Sequence, residues 1–413
     1  MELGCAFVEI EGSASGLESK GPGPIVGDET IIGTGGNASL IFQADQAMAR
    51  GNVREAASLL EVAAQRGRDA NVLLRLATVR RSLNDIPGAV NAAAAGVELS
   101  PRNFLLCLLL GSLLEAMGAI HRAQRAYRAA CAVVPRDLSF QPRMRTQLEW
   151  AKRRVEAAGR WRQRVLEWDA SESGGTFTPQ EERRIRGFRT NLIEGMDSGP
   201  TAPPIFMVPA IKSKRFFDPS QFAGVGEIER QTVAVRDEFL ALAERKKAEI
   251  SSRLSGLHAG ESETGRPGSW SMIPLMRNGR VIEEFASMCP RTMELAKALD
   301  LPKLGLISPS LYFSVLEPNS RIAPHKGITN ARLIAHFPLI VPDSCGFRVG
   351  SETRRWEPGK ALIFDDMTNH EAWNDSDRIR VVLIADLWRP ELTEWERSAV
   401  SELMDCPDIR EEA

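Results

Sequence analysis

No C-x-x-C pair occurs in this 413-residue chain; its six cysteines, at 5, 107, 131, 289, 345 and 406, are scattered. In a chain of this size that pattern argues against a disulfide framework, so the thiols read as reduced and the cytoplasm as the default compartment. The longest apolar run, "FLLCLLLGSLL" from Phe104, is too short to cross a bilayer and is broken by Gly and Ser. The first residues, "MELGCAFVEIEGSASG", have neither a basic stretch nor a sustained apolar core, so no secretory signal is expected. Charge of one sign is also missing. The formal net charge is −2, with no concentrated basic excess to suggest a nucleic-acid partner. Histidine is scarce, with five in all, yet His325, His336 and His370 fall within 46 residues.

What is present is ordinary for a soluble globular protein, 43% apolar and 26% charged, in a chain long enough for two or three domains. Residues 1–38, rich in Gly and Ser, are expected to form a disordered leader. A repeat follows over 39–140: "GNVREAA" at 51, "NDIPGAV" at 84 and "GAIHRAQ" at 118 lie 33 and 34 residues apart and bring Ala56, Ala89 and Ala123 into register. Pro101 and Pro135 are also 34 apart. This is tetratricopeptide (TPR) spacing, in which small residues let paired helices approach and Pro closes each unit. Three copies predict about six helices. The charged stretch "RMRTQLEWAKRRVEAAGRWRQRVLEW" is expected to cap that stack within 141–200, with "SESGGTFTPQ" as linker. Its bases alternate with acids, so a solvated face is expected rather than an RNA-binding one.

From residue 201 to 413 the texture changes. Strands are expected at "SLYFSVLEP", "RLIAHFPLIVP", "CGFRVG", "KALIFDD" and "RVVLIADLW", and helices at "QTVAVRDEFLALAERKKAEI" and "RTMELAKAL". Many short strands at close spacing suggest a sandwich or jelly roll, with its core over about 305–392. His325 and His370 would stand at strand ends, where neighbouring strands can bring them together at the barrel mouth. Imidazole suits ferrous iron, whose usual oxygenase site adds one carboxylate two residues after the first histidine. Here that position is Gly327. Arg380, pointing inward from the next strand, would hold a carboxylate bidentately. The dicarboxylate 2-oxoglutarate fits both needs, one end on iron and the other on Arg380 and a hydroxyl such as Ser314.

"SVLEPNSRIAPHKG", "TN", "RL" and "H" before "PLIVP", then "GSETRRWEPGKALIFDD", "HEAWND" and "LWRPELT", keep both order and spacing. At these residues the chain resembles the aspartyl/asparaginyl β-hydroxylase family, Fe(II)/2-oxoglutarate oxygenases on a double-stranded β-helix, some with N-terminal TPR-type repeats. The resemblance covers roughly residues 200–400. It implies a site with two histidines and no carboxylate: His325 and His370 on the metal, Gly327 at the vacant place, and Ser314 and Arg380 on the far carboxylate of 2-oxoglutarate. His336 would lie near its metal-binding end. Dioxygen would be the co-substrate. One departure concerns the substrate. The animal enzymes have an arginine two residues before that third histidine, where this chain has Ile334. Arg332, expected on the same face as Ile334, and Arg321 and Arg348 are candidate replacements.

Simpler roles stand beside these. His336 could be a core histidine, Asp365 and Asp366 a turn cap, and Ser314 a backbone partner. Trp356, Trp373 and Trp388 read as core anchors, and His121 and His258 as surface or packing residues. The expected function is hydroxylation of an aspartyl/asparaginyl-type side chain in a peptide or protein, with the repeats expected to help recruit it. Kept beside it are the same chemistry on a lipid acyl chain or small molecule, a halogenase variant, and a non-catalytic TPR adaptor with an inactive barrel.

Overall fold

The structure is a computed structural model; it describes residues 35–135, 142–172, 175–202, 206–245, 270–305 and 307–407. Most of the expected leader, His258 and the end of the helix expected to reach 250 lie outside the described residues.

Six antiparallel helices open the described chain: α1 (Gly35–Ala49), α2 (Val53–Arg66), α3 (Ala70–Ser82), α4 (Ile86–Leu99), α5 (Phe104–Ala116) and α6 (Ile120–Ala132). Asn52, Asp69, Asp85 and Asn103 each accept a backbone N–H from the first turn of the helix they precede. Short polar side chains thus satisfy donors that the helix leaves orphaned. Ala56, Ala89 and Ala123, the residues in repeat phase, are at most 1% exposed. A methyl group is all that fits where paired helices cross. At Gly111 even that is too much, since an added Cβ would sit 2.5 Å from the Tyr127 ring.

The charged stretch forms α7 (Pro142–Glu167), a 26-residue helix packed on α6. Glu115 ties the three helices together, accepting from Tyr127 Oη at 2.7 Å, Trp150 Nε1 at 2.8 Å and Arg154 Nε at 2.6 Å. A helix not expected from the sequence follows, α8 (Pro179–Asp197), opened by a reciprocal capping box between Thr178 and Glu181. Both helices dock on the C-terminal helix Glu394–Met404. Trp161 Nε1 donates to the Leu403 carbonyl at 3.0 Å, Trp168 Nε1 to Glu402 at 3.0 Å, and Arg184 pairs with Glu396.

The second unit is a jelly roll of two antiparallel sheets. The larger runs β1-β9-β6-β11-β4-β2-β3 and the smaller β5-β10-β7-β8. In chain order the strands are β1 (Phe216–Phe217), β2 (Trp270–Arg277), β3 (Arg280–Val281), β4 (Leu311–Leu316), β5 (Ser320–His325), β6 (Arg332–Ile340), β7 (Cys345–Val349), β8 (Glu352–Arg354), β9 (Leu362–Phe364), β10 (His370–Asn374) and β11 (Arg380–Trp388). The central strands read as unbroken apolar runs because both faces are covered. From β11, Val381, Leu383, Ala385 and Leu387 pack outward on helices such as Thr232–Arg245, while Val382 and Ile384 face the smaller sheet. Arg380 has the parity of the inward set. In the smaller sheet Ile322, Phe347, Val349 and Ala372 turn inward. The two units also meet at the α5–α6 turn, where Arg277 Nη2 donates to the Met117 carbonyl at 2.6 Å.

Gly111→Ala should lower the thermal midpoint. Relieving the overlap with Tyr127 costs about 1–3 kcal/mol, more than the ~1 kcal/mol that Ala gains over Gly in a helix. A thermal melt with an unchanged or raised midpoint would show that the α5–α6 contact has slack.

Candidate active site

His325 ends β5 and His370 begins β10, and antiparallel pairing sets them directly opposite each other. Their ring centroids are 4.1 Å apart. Each ring is held through Nδ1 by a carbonyl two residues earlier, Ala323 at 2.8 Å for His325 and Thr368 at 3.0 Å for His370. An Nδ1 that donates to a carbonyl leaves Nε2 with its lone pair, the form that binds a metal. Burial lowers the pKa of both rings, that of His370 to about 3 with a further push from His325. Both are therefore neutral at physiological pH, as ligation requires. Among the described residues, no group of three or more His, Cys, Asp or Glu side chains is placed to hold a metal. The pair stands without a third protein ligand.

Gly327 explains why. Its N–H donates to the Asp366 carbonyl at 2.6 Å, and a Cβ there would lie 2.2 Å from Asp366 Oδ2. The space that a carboxylate side chain at 327 would enter already holds one from another segment. Asp366 is 4% exposed and leaves Oδ1 without a hydrogen bond among the described residues. Burial raises its pKa to about 6 against the opposing pull of Arg332. The turn-cap role falls to Asp365 alone, which accepts from the Met367 N–H at 3.1 Å and pairs with the buried Arg389.

The inward faces of β4, β6 and β11 bring Ser314, His336 and Arg380 together. Arg380 Nη1 donates to the Ser314 hydroxyl and carbonyl, both at 3.1 Å, and the guanidinium lies 5.0 Å from the Trp356 ring centroid. Trp270 Nε1 donates to the same hydroxyl at 3.0 Å. Arg380 is 1% exposed, pairs with no carboxylate among the described residues, and has its pKa lowered by burial to about 10. A buried cation without a counter-ion is costly, and an anion removes that cost. His336 accepts from Trp356 Nε1 at 3.2 Å through Nδ1. Burial holds it neutral, helped by the nearby charge of Arg380.

The three candidate substrate arginines part company. Arg332 points inward with Ile334, but two carboxylates flank it, Asp366 and Asp386, each at 3.2 Å. Arg321 lies on the outer face of the smaller sheet, paired with Asp375 at 2.9 Å over Trp373. Arg348 is also turned outward, bonded to Glu371, to the Gly350 carbonyl at 2.6 Å and to Asn369 at 3.2 Å. Strand parity carries the signal, since Ile322 and Phe347 claim the inward positions beside them. Trp270, which donates to Ser314, was not picked out from sequence; Trp356 reads there as a core anchor and Asp366 as a turn cap, and the structure sets the first beside Arg380 and the second against Gly327. Asp366 is 39 residues from Gly327, so no local spacing reveals their contact.

The fold is a jelly roll whose interior holds a histidine pair and a buried arginine without a carboxylate partner among the described residues. Residues 229–390 match the family model described as aspartyl/asparaginyl beta-hydroxylase. The chain is 27% identical over 373 residues to the Homo sapiens protein named aspartyl/asparaginyl beta-hydroxylase, covering 84% of this chain and 46% of that one. To its Mus musculus namesake it is 35% identical over 178 residues, covering 43% and 23%. A Rhizobium tropici protein named ornithine lipid ester-linked acyl 2-hydroxylase is 32% identical over 177 residues, covering 42% and 60%. The chain thus spans less than half the length of the two β-hydroxylases.

Arg332→Leu would strand Asp366 and Asp386 in the core. Breaking such a pair costs roughly 3–5 kcal/mol. Without its cation, Asp366 keeps its proton to higher pH than in the unfolded chain. The folded state then binds more protons, so stability falls as pH rises. Denaturant melts should show a larger loss at pH 8 than at pH 5; an equal loss at both would mean that the arginine does not hold Asp366 ionised.

Proposed function

We propose that the chain is an Fe(II)/2-oxoglutarate-dependent dioxygenase that hydroxylates an aspartyl/asparaginyl-type side chain in a peptide or protein. One observation carries the reading: Arg380, buried and without a carboxylate partner among the described residues, faces the interior of the jelly roll in which His325 and His370 stand opposed with Nδ1 held by carbonyls and Nε2 left for a metal. His325 and His370 would hold the metal. Arg380 and Ser314 would take the far carboxylate of 2-oxoglutarate, and His336, with Nδ1 already accepting from Trp356, would offer its Nε2–H near the other end. When bound with dioxygen, this pair of cofactors supplies the oxidising power that replaces C–H by C–OH, while 2-oxoglutarate loses carbon dioxide and becomes succinate.

The protein contributes position and dryness. Trp270 and Trp356 fix the hydroxyl and guanidinium and shield them from water, which strengthens both contacts. With no third His, Cys, Asp or Glu placed beside the pair among the described residues, metal affinity should lean on the bound cosubstrate. The helical unit contacts the jelly roll and its flanking helix through Trp161, Trp168 and Arg277, and its repeats would present the substrate. The described cysteines form no disulfide with one another, which fits a reducing compartment such as the cytoplasm, and no described helix is long and apolar enough to cross a membrane.

A second reading keeps the chemistry and changes the substrate to an acyl chain. It is favoured by Ile334, which packs with apolar neighbours where the family has a substrate-gripping arginine, and by the likeness to the ornithine lipid enzyme. Product mass from an aspartyl peptide and from a hydroxy-accepting lipid, assayed side by side, separates the two.

His325→Ala and His370→Ala should each abolish 2-oxoglutarate turnover and manganese binding by calorimetry. Arg380→Leu should keep manganese binding and weaken 2-oxoglutarate by at least about tenfold, the loss of one charge-assisted bidentate contact. Turnover retained in the double histidine variant would reject the site.

A further inference from the structure

Away from the histidine pair, a cavity of about 190 Å³ opens where α6, α7 and α8 meet the segment carrying Phe206. Its walls are largely apolar, with Val155, Trp161, Met196 and Phe206. Three of its polar groups are buried and come from one turn of α6, His121, Gln124 and Arg125 being 8%, 7% and 4% exposed, while Arg128 and Arg162 line it from more exposed positions. His121 Nε2, Gln124 Nε2 and Arg125 Nε each lack a hydrogen-bond partner among the described residues. The other end of Arg125 is fully used, on the Gly195 carbonyl at 3.2 Å, the Ser198 hydroxyl and the Ala202 carbonyl. Three orphaned polar groups in one cavity are unusual, because buried donors are nearly always satisfied.

The charge around them sets the sign of what fits. Burial has the larger effect in lowering the Arg125 pKa to about 10, and Arg122 and Arg128 lie close enough to lower it further. Burial, then Arg125, lowers the His121 pKa to about 4, so the ring is neutral. Asp197, the acid at the mouth, is committed to Arg162 at 2.8 Å and Arg128 at 3.6 Å. An anionic head is therefore favoured inside, with a flat apolar body between Trp161 and Phe206. Apolar cavities of about 150 Å³ take up benzene, so the space suits a molecule slightly larger.

We propose that this cavity is a binding site for a small carboxylate of benzoate size. Its carboxylate accepts from Gln124 Nε2, Arg125 Nε and the His121 Nε2–H tautomer, and its body lies on Trp161 and Phe206. The site joins the helical unit to the oxygenase domain. Phe206 packs on His121 with centroids 4.8 Å apart, and its N–H donates to the Ile328 carbonyl at 2.7 Å, three residues beyond His325.

Calorimetric titration of the full chain with benzoate, hexanoate and benzyl alcohol tests this. Saturable binding of one or both acids with a Kd of about 1 mM or tighter is expected, and the alcohol should bind at least about tenfold more weakly. Gln124→Leu should cost a similar factor. Gly159→Leu should do so with the fold intact, because a Cβ at Gly159 meets no atom within 4 Å and the side chain would fill the mouth. No saturable binding of either acid by about 10 mM, equal binding of the alcohol, or unchanged affinity in Gly159→Leu would overturn the proposal and leave the cavity to ordered water.

Discussion

The antiparallel register between β5 and β10 is the constraint on which the rest depends. It sets His370 against His325, 45 residues apart in sequence. A slip of one residue would turn every side chain of the strand to the other face, putting Trp373 and Glu371 inside and the histidine out. Apolar packing prevents that slip. Ala372 and Ile322, beside Phe347 in the smaller sheet, pack with Leu316 of the larger, so the interior that stabilises the jelly roll also aims the two rings. Backbone carbonyls at Ala323 and Thr368 then choose the tautomer.

Electrostatics divides the interior into two regions. Arg332, Arg389, Asp365, Asp366 and Asp386 form a buried ionic layer in which cations and anions are closely matched. Arg380 stands apart, with only a hydroxyl, a carbonyl and an indole face beside it. The first region is structural and the second is poised for an anion. Two buried arginines thus have opposite meanings, and only their partners distinguish them. The same contrast governs the junction cavity, where Arg125 spends its outer nitrogens on carbonyls and a hydroxyl and keeps Nε unused.

Gly327 and Asp366 together suggest how a two-histidine site persists. The glycine is held against the Asp366 segment by a backbone hydrogen bond, and the acid fills the volume in front of it. Any side chain at 327 would have to displace a buried carboxylate that is itself bonded to Arg332. The absent ligand is therefore built into the packing around the loop, beyond a single substitution.

Much was legible from the chain alone. The helical repeat shows because Ala56, Ala89 and Ala123 must be small wherever paired helices cross, and that steric demand recurs every 33 or 34 residues. The strands β4, β6 and β11 show as apolar runs because both faces are covered. His325, His370 and Arg380 show through strand ends, parity and a motif that keeps its order. What tertiary structure decided is everything that joins residues across the fold. β2 was hidden by Pro274 and by its place in a mixed segment, yet its Trp270 holds the Ser314 hydroxyl. Asp366 became part of the site only when β9 and the turn after it met the loop after β5. Arg321 and Arg348 kept their charge but lost the cavity, because apolar neighbours occupy the inward faces of their strands. Sequence records local periodicity and steric demand; which charge meets which partner is settled by the long-range pairing of strands, and no spacing along the chain encodes it.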